Sequence, residues 1–261
     1  MSWLLAVLKL LRADGTAVAC LAIFLPSYLR TADVMLSTER ALPIVFIVGC
    51  TYIANDLDDI DKDRINHPRR PLASGRLTPT FAAVLFFTFL AGALFSTRYF
   101  IPEPVAFVYY SLLVVSVSYG YLVEWLPSFK VIYVAIAETF PPLILLNYFP
   151  GDTRLKAVSA AIFLHALGRE VCKDIQDRPG DAKCFVHELD PKALSIFAFL
   201  LQGIAIGALA IRSRTGIDVL VLLTMTGVVG SAALTWFAYS ARTPTLLLLK
   251  LEIVIGLYFL L

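Results

Sequence analysis

The sequence predicts an all-α integral membrane protein, a single helical domain over residues 1–261 with nine transmembrane spans. Three observations carry that prediction. Hydrophobic residues make up 59% of the chain and charged residues only 16%, whereas an average soluble domain carries about 25% charged; the mean hydropathy is +0.78. The apolar residues are gathered into runs long enough to cross roughly 30 Å of hydrocarbon, which takes about 20 residues each. Nine of the twenty acidic residues, by contrast, are confined to two short windows. A net charge of +2 gives no reason to expect a nucleic-acid partner. The four cysteines (Cys20, Cys50, Cys172 and Cys184) have no metal or disulfide spacing and read as small core side chains.

In chain order, the spans are predicted near 4–28, 39–56, 79–99, 103–123, 129–149, 154–173, 191–212, 216–239 and 243–261. The opening MSWLLAVLKLLRADG lacks the small-residue cleavage site of a signal peptide and reads as the start of the first span. The second span ends in the first acidic window. Glu138 and Pro141-Pro142 interrupt the fifth, and charge closes the sixth, so both are expected to line a cavity rather than face lipid. No internal repeat or low-complexity linker divides the chain.

Lys and Arg in the loops set the orientation. With the N-terminus inside, the cytoplasmic connections hold Lys62, Arg64, Arg69, Arg70, Arg76, Lys130, Arg169, Lys173, Arg178, Lys183, Lys192 and Arg242, twelve in all, against seven on the other side. That bias predicts a cytoplasmic N-terminus and puts both acidic windows on the cytoplasmic face.

The first window, Asn55 to Gly75, reads NDLDDIDKDRINHPRRPLASG. Continued as one helix, Asp59, Asp63 and Asp56 would lie at roughly 40°, 80° and 100° from Asn55, one face bearing an amide and three carboxylates. Such a face repels itself unless a cation sits on it. The second window, REVCKDIQDRPGD, spaces Glu170, Asp174, Asp177 and Asp181 along a similar face, with Pro179-Gly180 ending or bending it before Asp181. Hard oxygen donors at this density suit Mg²⁺, which shares itself between carboxylates and a substrate's phosphates.

Two carboxylate clusters at a membrane mouth, with cations between them, define a diphosphate site. Arg64, Arg69, Arg70, Lys173 and Arg178 are expected to grip phosphate oxygens, with Arg12 and Lys130 reaching in from other segments. Asn55, Asp59, Asp177 and Asp181 are the expected metal contacts. Asp56, Asp63, Glu170 and Asp174 serve equally well as partners that orient waters or hold arginines. Neutralising a departing diphosphate lowers the barrier to carbon–oxygen cleavage, and an allylic cation left behind needs a dry, aromatic-walled pocket. Phe86, Phe87, Phe89, Phe107, Tyr109, Tyr110, Tyr119, Tyr121, Tyr133 and Phe140 offer rings in the third to fifth spans. Such rings more often pack or form the interfacial belt. His67 and His165 read as surface and core groups, and Glu138 as a structurally paired acid or a base for an intermediate.

At these motifs the sequence resembles the UbiA superfamily of intramembrane prenyltransferases. Asn55-Asp56, Asp59 and Asp63 match its NDxxDxxxD signature. Asp63, Asn66, Pro68, Arg70, Pro71 and Gly75 follow its continuation, and Asp177 and Asp181 meet its DxxxD. The resemblance implies nine helices around a central cavity capped by cytoplasmic loops. It also implies Mg²⁺ on Asn55, Asp59, Asp177 and Asp181, bridging an isoprenyl diphosphate whose prenyl group passes to a lipophilic acceptor, expected to be aromatic. The chain departs from the pattern after Asp181, where AKCFVHELDP replaces the usual glycine and threonine. That departure leaves ionisation intact and keeps a second reading open, a terpene cyclase of the same superfamily that uses no acceptor. A divalent-cation transporter is the remote alternative, disfavoured because the acids crowd one side of the membrane with no exit cluster opposite.

Overall fold

The computed structural model describes residues 3–126 and 129–153, and residues 155–170 in part. All regular structure among the described residues is helical: α1 (Trp3–Leu10), α2 (Ala13–Thr31), α3 (Val34–Asp58), α4 (Ile60–Asn66), α5 (Pro79–Phe100), α6 (Glu103–Trp125) and α7 (Lys130–Tyr148). Four of them (α3, α5, α6 through Leu122, and α7) are long and apolar enough to cross a membrane. The sixth predicted span is described only in part, and the seventh to ninth lie outside the described residues.

The chain divides into two compact units, Met1–Trp125 and Leu126–Leu261. In the first, α3 is the spine, packed against α5, α2 and α6. Its contact with α5 is reciprocal. Phe89 of α5 lies over Gly49 of α3, and Phe46 of α3 lies over Gly92 of α5; the two rings meet edge to face, centroids 5.6 Å apart. Small residues facing large ones let two apolar helices approach closely where water supplies no driving force. Pro43 interrupts the hydrogen-bond ladder of α3. Near that gap the fully buried Tyr109 of α6 donates its hydroxyl to the Arg40 carbonyl at 2.7 Å.

Two sequence expectations are corrected here. The first predicted span, 4–28, is not one helix: it breaks at Leu11-Arg12, where Arg12 takes the left-handed conformation (φ 43°, ψ 58°) that ends a helix. The Thr16 hydroxyl closes the break by donating to the Leu11 carbonyl at 2.8 Å. The continuous helical face through Asn55–Asp63 is also bent. α3 stops at Asp58, and Asp59 (φ −99°, ψ 13°) joins it to the short α4. The turn keeps its i to i+4 bonds, from Asp59 N–H to Asn55 O at 3.0 Å and Asp63 N–H to Asp59 O at 2.7 Å.

The loop after α4 is packed rather than loose. Leu72 and Leu77 are buried with Ala6 and Leu10 of α1, Ile53 of α3 and Ala82 of α5. Gly75 supplies the positive φ of 70° that turns the chain back. Thr78 then caps α5 by accepting from Phe81 N–H at 3.2 Å, with Pro79 opening the helix. In the second unit, α7 buries Ala135, Thr139, Phe140, Pro142, Ile144 and Leu145, despite the two prolines within it.

Candidate active site

The last turn of α3 carries Asp56, whose side chain is only 2% exposed. Burying a carboxylate so completely is costly unless it is paired and hydrogen-bonded. It has two cationic partners, from distant parts of the chain. Arg12, at the α1–α2 break, places Nη2 3.0 Å from Asp56 Oδ1. Arg70, in the packed loop, places Nη1 3.4 Å from the same oxygen and 2.7 Å from Asp63 Oδ2. The result is a chain of alternating charge, Arg12–Asp56–Arg70–Asp63. It ties the helix break, α3, the loop and α4 into one patch.

Asp63 is buried on α4. Burial pushes its carboxyl above the usual carboxylate range; the Arg70 guanidinium pulls the other way, and Asp56 and Asp59 add to the rise. Desolvation is the larger effect, so the ion pair does not fully offset it.

Asn55 is half-buried one turn before Asp59, and the Asp59 carboxylate accepts from Lys62 Nζ at 2.9 Å. Arg64 pairs with the outward-facing Asp61 at 2.6 Å, an exposed contact of little energetic weight. Arg69, beside Arg70, is exposed and takes part in none of these pairs. His67 ends α4, and its carbonyl accepts from Arg70 N–H at 2.9 Å. Lys130 opens α7 in the second unit, where Glu170 is also found, buried. Lys173, Asp174, Asp177, Arg178 and Asp181 lie outside the described residues, and so does the pairing of the two acidic windows.

The aromatic rings offered by the third and fourth spans have varied surroundings. Phe87, Phe107 and Tyr121 are exposed, and Phe89 and Tyr109 are occupied with Gly49 and with the Arg40 carbonyl. Two features escaped the sequence reading. Tyr52 of α3 holds its ring under Arg12, the guanidinium carbon 4.7 Å from the ring centroid. Gly120 of α6 faces Asp58 so closely that a methyl group there would overlap the carboxylate. The only sequence signal for Tyr52 is its place one turn before Asp56.

The model of the UbiA prenyltransferase family matches residues 16–248. The chain belongs to that family. As a family member with several apolar helices of spanning length, it is a multi-pass membrane protein. The digeranylgeranylglyceryl phosphate synthase of Hyperthermus butylicus is 36% identical to it over 152 residues, covering 54% of this chain and 50% of that one. The synthase of the same name from Methanospirillum hungatei is 30% identical, covering 67% and 64%, and that from Sulfolobus acidocaldarius 25%, covering 84% and 82%. The chain thus matches about half to two-thirds of the length of the first two of these relatives. A UbiA homolog from Archaeoglobus fulgidus bound to GPP and Mg²⁺ superposes with a TM-score of 0.69 at 20% identity, covering 98% of this chain and 96% of that one. The same homolog bound to DMAPP and Mg²⁺ gives 0.68 at 19% identity. At that identity the likeness speaks for the fold.

Proposed function

We propose that this UbiA-family chain is a Mg²⁺-dependent intramembrane prenyltransferase, which ionises an isoprenyl diphosphate and passes the prenyl group to a lipophilic acceptor. The observation that carries the reading is the Arg12–Asp56–Arg70 cluster, two guanidinium groups held on one buried carboxylate at the end of an apolar helix. Guanidinium groups gathered by carboxylates are preorganised for phosphate oxygens. Arg12 and Arg70 are the grip, with Arg69, Arg64, Lys130, Lys173 and Arg178 as further contacts. Asp56 and Asp63 hold that grip in place.

Asn55 and Asp59 fit the metal. They are hard oxygen donors on successive turns, and Lys62 already occupies Asp59 with positive charge. Among the described residues no group of three acidic, histidine or cysteine side chains forms a complete site. In this reading Asp177 and Asp181 supply the other half of the set, with Glu170 and Asp174 supporting it, on the strength of their DxxxD spacing. Bound there, Mg²⁺ would offset the negative charge of the departing diphosphate.

The reading includes one nine-helix domain around a central cavity, with the N-terminus and the capping loops cytoplasmic. Family membership over residues 16–248 supports the single domain, and the Lys and Arg bias supports the orientation. The names of the relatives favour a glyceryl phosphate acceptor over the aromatic one expected from sequence.

The test incubates membranes containing the protein with Mg²⁺ and geranylgeranyl diphosphate, with and without a geranylgeranylated glyceryl phosphate. Prenylation that needs the acceptor, and that is abolished in Asp59→Ala and Asp181→Ala without loss of inserted protein, is expected. A cyclic hydrocarbon or terpene alcohol formed without acceptor would replace the transferase reading by the cyclase one. Wild-type turnover in either variant would overturn the metal assignment.

A further inference from the structure

Arg12 stands in an unusual place for a phosphate ligand. It is a non-glycine residue at positive φ, in the break between two helices, where nothing in its own backbone fixes its side chain. Its direction is set from α3. Asp56 holds one end of the guanidinium at 3.0 Å, and Tyr52, one turn earlier on the same helix, lies beneath its face at 4.7 Å. The carboxylate holds one nitrogen, and the ring lies under the guanidinium carbon, so two contacts from one helix restrict where the guanidinium can go.

Tyr52 can reach that position because residue 15 is glycine. A Cβ on Gly15 would stand 2.6 Å from the Tyr52 hydroxyl oxygen and 3.4 Å from the ring carbon that bears it. The Tyr52 ring thus lies against a position of α2 that carries no side chain, which leaves room for it under Arg12. Removing the Tyr52 hydroxyl would relieve the closest of these contacts.

We propose that Tyr52 is a positioning residue for substrate diphosphate. It acts through Arg12, with Gly15 as the small residue that admits it. The inference rests on the diphosphate reading of the site, and its test separates the two. Purified full-length protein in detergent is titrated with inorganic pyrophosphate and Mg²⁺ and followed by thermal shift, and KM for geranylgeranyl diphosphate is measured alongside. Tyr52→Leu and Gly15→Ala are each expected to weaken pyrophosphate binding and raise KM about tenfold, in the range of a partly desolvated cation–π contact, with kcat changed far less. Tyr52→Phe, which keeps the ring, and the double variant Gly15→Ala/Tyr52→Phe, which removes the clash, are expected within about twofold of wild type on the same basis.

Wild-type binding in Tyr52→Leu, with Arg12→Ala defective, would overturn the role of Tyr52 and leave the site reading standing. Failure of the double variant to recover would overturn the role of Gly15. Wild-type turnover in Asp59→Ala would overturn the site reading itself.

Discussion

At Asp56 one carboxylate oxygen serves two guanidinium groups, one 44 residues before it and one 14 residues after. Among the described residues, replacing it by alanine leaves Arg12 with its contact to the Tyr52 ring and Arg70 with Asp63. Breaking a fully buried ion pair costs about 3–5 kcal/mol. Arg12 and Arg70 are 29% and 24% exposed, so screening by solvent brings the expected loss nearer ~2 kcal/mol. Asp56→Ala should therefore lower the Tm in detergent and weaken pyrophosphate binding together; a variant that loses neither would remove Asp56 from the site. Asp63 makes a prediction of opposite slope to that of an ordinary paired carboxylate. Burial raises its pKa in the fold, so between the unfolded value and the raised one the folded chain holds a proton that the unfolded chain has released. The stability this gives is complete below the unfolded value and is lost as pH rises through the folded one. Measured against Asp63→Asn, which does not titrate, the wild-type protein should gain Tm as the pH is lowered through the carboxylate range. A flat difference, or a fall, would show that Arg70 outweighs desolvation.

Among the helices, α5, α6 and α7 follow their apolar runs within two residues of the predicted limits, because Thr78-Pro79 and similar punctuation mark where a hydrophobic run begins. The two places where helices fail were not legible. A left-handed arginine in LLRADG leaves no sequence signature, since arginine has no preference of its own for that conformation. The bend at Asp59 falls inside a run whose spacing reads as an unbroken helix. For the same reason Tyr52 reads as packing: in an apolar run, periodicity cannot separate a ring that stacks on an arginine from one that faces lipid. The α3–α5 contact carries its own prediction. A Cβ at Gly92 would meet the Phe46 ring at 2.7 Å, so Gly92→Ala should cost about 1–3 kcal/mol as overpacking. Adding Phe46→Leu should recover part of that loss in Tm; an unchanged Tm in Gly92→Ala would show that the ring swings aside freely.

For the whole molecule, the first acidic window stands out in sequence because its five acids follow directly on an uncharged apolar run. The second acidic window reads as clearly in sequence, but of its acids only Glu170 falls among the described residues. Sidedness can be checked directly. In a background with the four cysteines replaced, a cysteine at the exposed Ser74 should react with a membrane-impermeant maleimide only after cells are opened. One at the exposed Glu103 should react in intact cells. The reverse pattern would invert the assigned orientation.

The family match begins at residue 16, four positions after the arginine that completes the cluster on Asp56. A shortened protein cut at that boundary would keep every signature aspartate. It would nonetheless lose Arg12, and with it Ala6 and Leu10, which cover Leu72 and Leu77 beneath the Arg70 loop. Removing a segment that looks dispensable by similarity would thus disarm one guanidinium outright and unseat the other from below.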